Sequence, residues 1–276
     1  MAPNIIKHIL LPSDFSVHSA RARLYAYEIA KKTGAKITML HVVNPIFDVA
    51  AESENMKEMR IKRAKERFDQ LKAKRERSKF RELKVSHSIR EGDIVSTILE
   101  SAKSTGANLI LMGSIGATGL KKVLFGSTAA EVLQKAPIPV LVIPDSEIKQ
   151  DFKKFLFTTD FRQKDPQNLV LTKGIADELS GNVTVLHVAV KLDFRTEILH
   201  RGFIDHISET SGLKNLTFEL REHKSILRGI SEYASSEAIS VIVLNRYQKS
   251  ILESLAGRDT AKKMAAVGKI PLLILP

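Results

Sequence analysis

Two stretches of this sequence, 146 residues apart, carry the same signature. Lys7–Phe15 and Lys154–Phe161 are both apolar runs that end in Ser/Thr-Asp-Phe, with Asp14 and Asp160 in register. Ile37–Val43 and Val183–Ala189 match at the same offset, and His41 falls on His187. The runs Ile138–Pro144 and Ile270–Pro276 also match, but at an offset of 132, so the second copy is about 14 residues shorter in its middle. The chain of 276 residues has room for two domains of ordinary size. Self-similarity on this scale predicts one domain used twice, at 1–146 and 150–276, joined near Asp145–Gln150.

Within the first copy, short apolar runs alternate with helical patterns. Strands are expected near 6–11, 36–43, 84–89, 108–112 and 138–143, and helices near 18–33, 52–80, 93–104 and 127–135. Near-continuous apolar strands separated by helices predict an α/β fold whose parallel sheet is covered on both faces. Right-handed crossovers make it doubly wound. The expected order of each five-stranded sheet is 3-2-1-4-5. It reverses between strands 1 and 4, and a ligand belongs at the carboxyl ends of those strands.

Chemistry-bearing residues gather there. After the fourth strand come Gly113, Gly116 and then Gly126-Ser127-Thr128, where the last helix begins. Glycines let backbone approach a bound group closely. Free amides and the dipole at a helix start can hold phosphate oxygens. No Gly-Lys-Ser/Thr occurs, which excludes a Walker A loop. The glycines follow strand 4 rather than strand 1, which excludes a Rossmann fingerprint. A tight turn into a helix remains the plain alternative. For Asp14 the alternative is a helix N-cap, and for Val42 and Met112 it is core packing.

The spacing Gly-x2-Gly-x9-Gly-Ser/Thr before a helix and an apolar strand resembles the nucleotide loop of the universal stress protein family. The turn Pro12-Ser13-Asp14-Phe15-Ser16, the strand Leu40-His41-Val42-Val43 and the helix start Gly92-Asp93-Ile94 are similar to that family too. The resemblance covers almost the whole chain as two tandem domains of the adenine nucleotide α-hydrolase-like fold. It implies ATP, with Mg2+ or Mn2+, as the ligand of the first domain. Asp14 would meet the nucleoside, Pro12 and Val42 would lie beside adenine, and Ser13 in the same turn would belong to the binding site. Met112 and Gly113 would line the path to the phosphates, and Gly116, Gly126, Ser127 and Thr128 would hold them. It further implies a cytoplasmic stress-response sensor or adaptor with an unidentified protein partner. The two domains would pair through their last strands as a pseudo-dimer, and a homodimer is left open. The alternatives are a slow ATP-hydrolysing enzyme of the related α-hydrolase group and an interaction protein without nucleotide.

The second copy departs from this pattern. Gly113 becomes Asn245, Gly116 becomes Gln248, and Gly126-Ser127 becomes Arg258-Asp259. A side chain fills the space a glycine leaves, and Asp259 puts negative charge where phosphate would sit. The second domain is therefore expected not to bind ATP, although Arg246 and Arg258 suit some other anion.

Composition narrows the rest. The absence of cysteine excludes disulfides, Cys-based zinc sites and a thiol nucleophile. The eight histidines show no metal-ligand spacing. His41 and His187 read as structural, while His87 and His223 have no evident partner. No Gly-x-Ser-x-Gly elbow and no base aimed at a phosphate is visible, so at most weak ATPase activity is expected. No signal peptide and no apolar stretch of about 20 residues is seen. The net charge of +12 is concentrated between Lys57 and Lys84, where 13 Lys+Arg face 5 Asp+Glu. Ile61, Ala64, Phe68 and Leu71 form a narrow apolar stripe there, so this is expected to be a surface helix packing on that stripe. Its basic faces suit an acidic partner, nucleic acid or an anionic membrane. No aromatic residues interleave with the charges as stacking on bases would require.

Overall fold

Residues Ile9, Leu10 and Leu11 lose essentially all solvent contact, as do Ile37, Met39 and Leu40 and, further on, Ile110 and Leu111. Apolar on consecutive positions, these segments must be covered on both faces, and helices do the covering. The computed structural model describes residues 5–44, 54–116, 125–145, 151–248 and 267–276. The strands β1 (His8–Pro12), β2 (Lys36–Val43), β3 (Val85–Glu91), β4 (Leu109–Gly113) and β5 (Val140–Ile143) belong to one compact unit. Between them run helices α1 (Val17–Thr33), α2 (Glu54–Glu76), α3 (Ile94–Thr105) and α4 (Ser127–Lys135). The sheet order is β3-β2-β1-β4-β5, parallel throughout, with Pro12 opposite Leu40 and Ile9 opposite Leu109.

The second unit repeats the plan with β6 (Lys154–Thr158), α5 (Asp165–Glu178), β7 (Asn182–Ala189), α6 (Phe194–Thr210), β8 (Leu216–Glu222), α7 (Ile226–Ser236), β9 (Val241–Asn245) and β10 (Leu272–Leu275). Its order is β8-β7-β6-β9-β10, again parallel. Each unit thus has the 3-2-1-4-5 order expected from the repeat.

Local chemistry sets the helix ends. The Ser16 side chain accepts from Ser19 N to open α1, and Gly34 closes it at φ 74°. Asp93 caps α3 in the same way, and Gly106 ends it at φ 65°. The helix expected over 52–80 is shorter at its carboxyl end, because α2 stops at Glu76. There the Ser78 hydroxyl donates back to Arg75 O at 2.7 Å, and the Arg75 guanidinium donates to the Arg81 and Leu83 carbonyls. The Ser78 hydroxyl thus satisfies a carbonyl that a further helical turn would otherwise have to serve, and Arg75 holds the chain that follows. Residues 52–53 lie outside the described residues.

The apolar stripe of α2 packs as expected. Ala64 and Phe68 are buried, while Ile61 and Leu71 are half-buried. The Phe68 ring stacks on His87 at 4.5 Å and meets Phe15 edge-on at 5.0 Å. His87, without an evident partner in the sequence, therefore has one. Burial, with Arg75 close by, lowers its pKa and favours the neutral ring. His223 is also engaged, through its Nδ1 against the Ser225 backbone.

Candidate functional site

The site is built on a turn that both halves share. Ser13 N donates to Leu40 O at 2.8 Å, and His41 Nδ1 donates to Ser13 O at 2.8 Å. The backbone after β1 is thereby tied to β2 from both sides. Phe15 then takes φ 60°, a left-handed conformation that costs an aromatic residue about 1–2 kcal/mol. Its ring is held against His41 at 4.7 Å and against Phe68. The sharp turn leaves Asp14 exposed just past the strand end, with Oδ1 accepting from Ser16 N at 3.0 Å. The helix cap is Ser16, so the N-cap alternative for Asp14 does not hold.

Across the switch point, β4 ends at Gly113. A Cβ there would stand 3.3 Å from His18 O, so this glycine admits the first turn of α1 against the strand. Met112 is buried and belongs to the core, as its packing alternative has it; Val42 is half-exposed at the end of β2. Ser114 fixes the start of the loop: its N donates to Ile143 O at 2.8 Å and its carbonyl accepts from Gly126 N at 2.7 Å. This brings the start of α4 back to the end of β4. A Cβ on Gly116 would lie 3.2 Å from Asp14 Oδ2, so the Asp14 carboxylate would have to give by a few tenths of an ångström. The β4 loop and the β1 turn thus approach to within one missing methyl group.

The amino end of α4 faces the same place. Gly126 is its N-cap, and no side chain caps it. Ser127 is exposed and Thr128 half-buried, with their amides in the first turn. An uncapped helix start beside a glycine-only passage suits an anion. Pro12, Ser13, Asp14, Gly113, Gly116, Gly126, Ser127 and Thr128 therefore converge at the carboxyl ends of β1 and β4, with Val42 one strand over. Residues 117–124 of the loop lie outside the described residues. Among the described residues no group of three or more His, Asp or Glu could hold a metal ion.

The second half keeps the turn and fills the passage. His187 Nδ1 donates to Thr159 O at 2.7 Å, Thr159 N donates to Leu186 O at 3.0 Å, and Phe161 again has a left-handed φ of 56°. Asn245, standing for Gly113, is fully buried. Its amide donates to Asp165 Oδ1 at 3.0 Å, and its oxygen accepts from Asn168 at 2.6 Å. Gln248, standing for Gly116, is buried too, and its Oε1 accepts from Thr158 Oγ1 and Asn245 N, both at 3.1 Å. Asp165 also receives Thr159 Oγ1 at 2.6 Å, Arg162 N at 2.9 Å and the Tyr247 hydroxyl. Burial pushes the Asp165 carboxyl above its ordinary pKa despite these donors. Arg258 and Asp259 lie outside the described residues.

Sequence reasoning missed Ser114, the Phe15 backbone and the Asp165 network. The recurrence of Phe after Asp at the same offset as the two histidines was the available signal for the turn.

Comparison with known proteins identifies the family and the fold. The model of the universal stress protein family matches residues 6–144. A universal stress protein of Methanocaldococcus jannaschii is 33% identical over 151 residues, covering 51% of this chain and 83% of that protein. A universal stress protein of Thermus aquaticus is 30% identical over 139 residues, covering 50% of this chain and 99% of that protein. The crystal structure of a universal stress protein from Archaeoglobus fulgidus matches 99% of this chain and 97% of its own, with a TM-score of 0.74 at 20% identity. The chain belongs to the universal stress protein family. Its first half carries the family's sequence, and the whole chain, second half included, carries the fold.

Proposed function

We propose that the first half binds ATP at the carboxyl ends of β1 and β4, and that the chain acts as a nucleotide-responsive sensor or adaptor in the cytoplasm. The observation that carries this reading is the contrast at one position. In the first half, a Cβ on Gly116 would crowd Asp14 Oδ2 at 3.2 Å, whereas in the second half Gln248 stands there, buried and bonded. A passage kept clear in one copy and closed in the other is a passage with a use.

Each residue has a part in holding the ligand. Asp14 accepts from ribose hydroxyls or the adenine amino group. Pro12, Ser13 and Val42 wall the base. The Gly116 backbone and the amides of Ser127 and Thr128 take phosphate oxygens, and both hydroxyls donate to them. Met112 contributes core packing beneath the site rather than a contact from its side chain. ATP, with Mg2+ or Mn2+, would bridge two strands and the start of α4, and so link nucleotide occupancy to the position of that helix.

Purified chain should release adenine nucleotide on acid precipitation, identified by mass. Chain that neither retains nor rebinds ATP would leave the interaction-protein reading in its place.

A further inference from the structure

The basic charge of α2 is not spread evenly around it. At 100° per residue, Met56, Arg60, Arg63, Arg67, Gln70 and Lys74 fall within one sector about 80° wide, and no carboxylate shares it. The acids Glu58, Glu66, Asp69 and Glu76 lie outside it, interleaved with Lys62, Lys65 and Lys72. Arg63, Arg67, Gln70 and Lys74 are exposed, and Met56 is 45% exposed. Met59, 49% exposed, borders the sector at the same end. Among the described residues, Arg63, Arg67 and Lys74 make no ion pair. The buried side of the helix, through Ala64 and Phe68, lies about 100° around from the middle of this sector.

Ordinary solvated helices mix their charges so that i,i+4 pairs offset one another. The other flank of α2 carries both signs at this spacing, Glu58 with Lys62 and Lys65 with Asp69, whereas the sector carries cations alone; among the described residues neither flank makes an ion pair within the helix. From Met56 to Lys74 the sector runs about 27 Å, with cations repeating at helical spacing. We infer that this sector is a docking surface for an acidic, amphipathic helical segment of a partner protein. Such a segment presents carboxylates at matching intervals, and arginine takes a carboxylate with two parallel bonds. The exposed methionines supply an adaptable apolar contact at one end, which a phosphate backbone could not use. The sector has no aromatic residue on which bases would stack.

The test uses the full-length chain and a fluorescein-labelled 18-residue helical peptide with glutamates at i,i+4 and one leucine face. Anisotropy should show binding that weakens as salt rises. Reversing Arg63, Arg67 and Lys74 to Glu should weaken it at least about tenfold. Reversing Lys62, Lys65 and Lys72, an equal change of net charge, should change it less than about threefold. Should the reversed chain fail to fold by circular dichroism, R63Q/R67Q/K74Q replaces it, with the same ordering expected. M56S/M59S should weaken peptide binding without altering its salt dependence. Equal losses from the two flanks would overturn the proposal, as would no binding by wild type. So would a duplex RNA or an anionic phosphatidylserine vesicle that binds this sector more tightly than the peptide.

Discussion

His41 Nδ1 lies 2.8 Å from the carbonyl oxygen of Ser13, and His187 Nδ1 lies 2.7 Å from that of Thr159, so one bond holds the same strained turn in both halves. The first turn leaves Asp14 exposed. The second is part of a closed network. His41→Phe keeps a ring against Phe15 and removes the bond, so it should cost about 1 kcal/mol of stability. It should also weaken ATP binding several-fold by loosening Asp14. His187→Phe should cost a similar amount of stability and leave ATP affinity unchanged. Denaturant unfolding and calorimetric titration on the same samples separate the two effects.

Gly116→Val adds a branched side chain where even a Cβ would lie 3.2 Å from Asp14 Oδ2. The residue is exposed, so stability should change by less than about 0.5 kcal/mol. ATP affinity should fall by at least about tenfold. At Gly126 a Cβ would meet nothing closer than 3.7 Å, so Gly126→Ala should be far milder than the change at Gly116.

Asp165 titrates against the fold. Burial raises its native pKa above the ordinary value of 3.8. A carboxyl raised on folding contributes stability that is present below its unfolded pKa and lost as pH rises through its native pKa. In Asp165→Asn the amide NH2 faces either Thr159 Oγ1 and Arg162 N or, flipped, Asn245 Nδ2 and the Tyr247 hydroxyl, so the variant should be less stable by about 1–3 kcal/mol. Its deficit relative to wild type should be largest near pH 4 and shrink toward neutrality. Urea unfolding of both proteins across that range measures it, and a deficit that grows with pH would contradict this role for burial.

Phe68 and His87 contribute to the acid response of the first half. Phe68→Ala removes a ring that is 2% exposed and contacts both Phe15 and His87, and should cost about 3–5 kcal/mol. The lowered native pKa of His87 gives stability that is present above pH 6.5 and lost as pH falls from there through its native value. His87→Phe keeps the stack and should reduce the loss of stability of the chain as pH falls below 6.5, and an unchanged loss would contradict this role.

Much of this architecture was legible in the sequence because its causes are local or periodic. Continuous apolar runs specify buried parallel strands, and the offset from Asp14 to Asp160 specifies the repeat. Gly116 was legible because losing it to Gln248 in the other copy gave an internal comparison. Asp165 was not. It stands at the register of Ser19, and only the packing of β6 against β9 brings Thr159, Asn245 and Tyr247 around it. Nor could the sequence show that Gly113 makes room for α1 while Gly116 makes room beside Asp14. That depends on which neighbour a Cβ would meet. The end of α2 was overrun because its charged, helix-favouring composition continues past Glu76, where Ser78 and Arg75 turn the chain.

We hold that one copy of a repeated fold keeps a nucleotide passage that the other has filled with its own side chains. Isothermal titration of nucleotide-free chain with ATP and Mg2+ tests this most directly, on the wild type, on Gly116→Val and on Gln248→Ala. The expected result is one site per chain, severely weakened by Gly116→Val and unchanged by Gln248→Ala. Two equivalent sites, or one site indifferent to Gly116→Val, would contradict it.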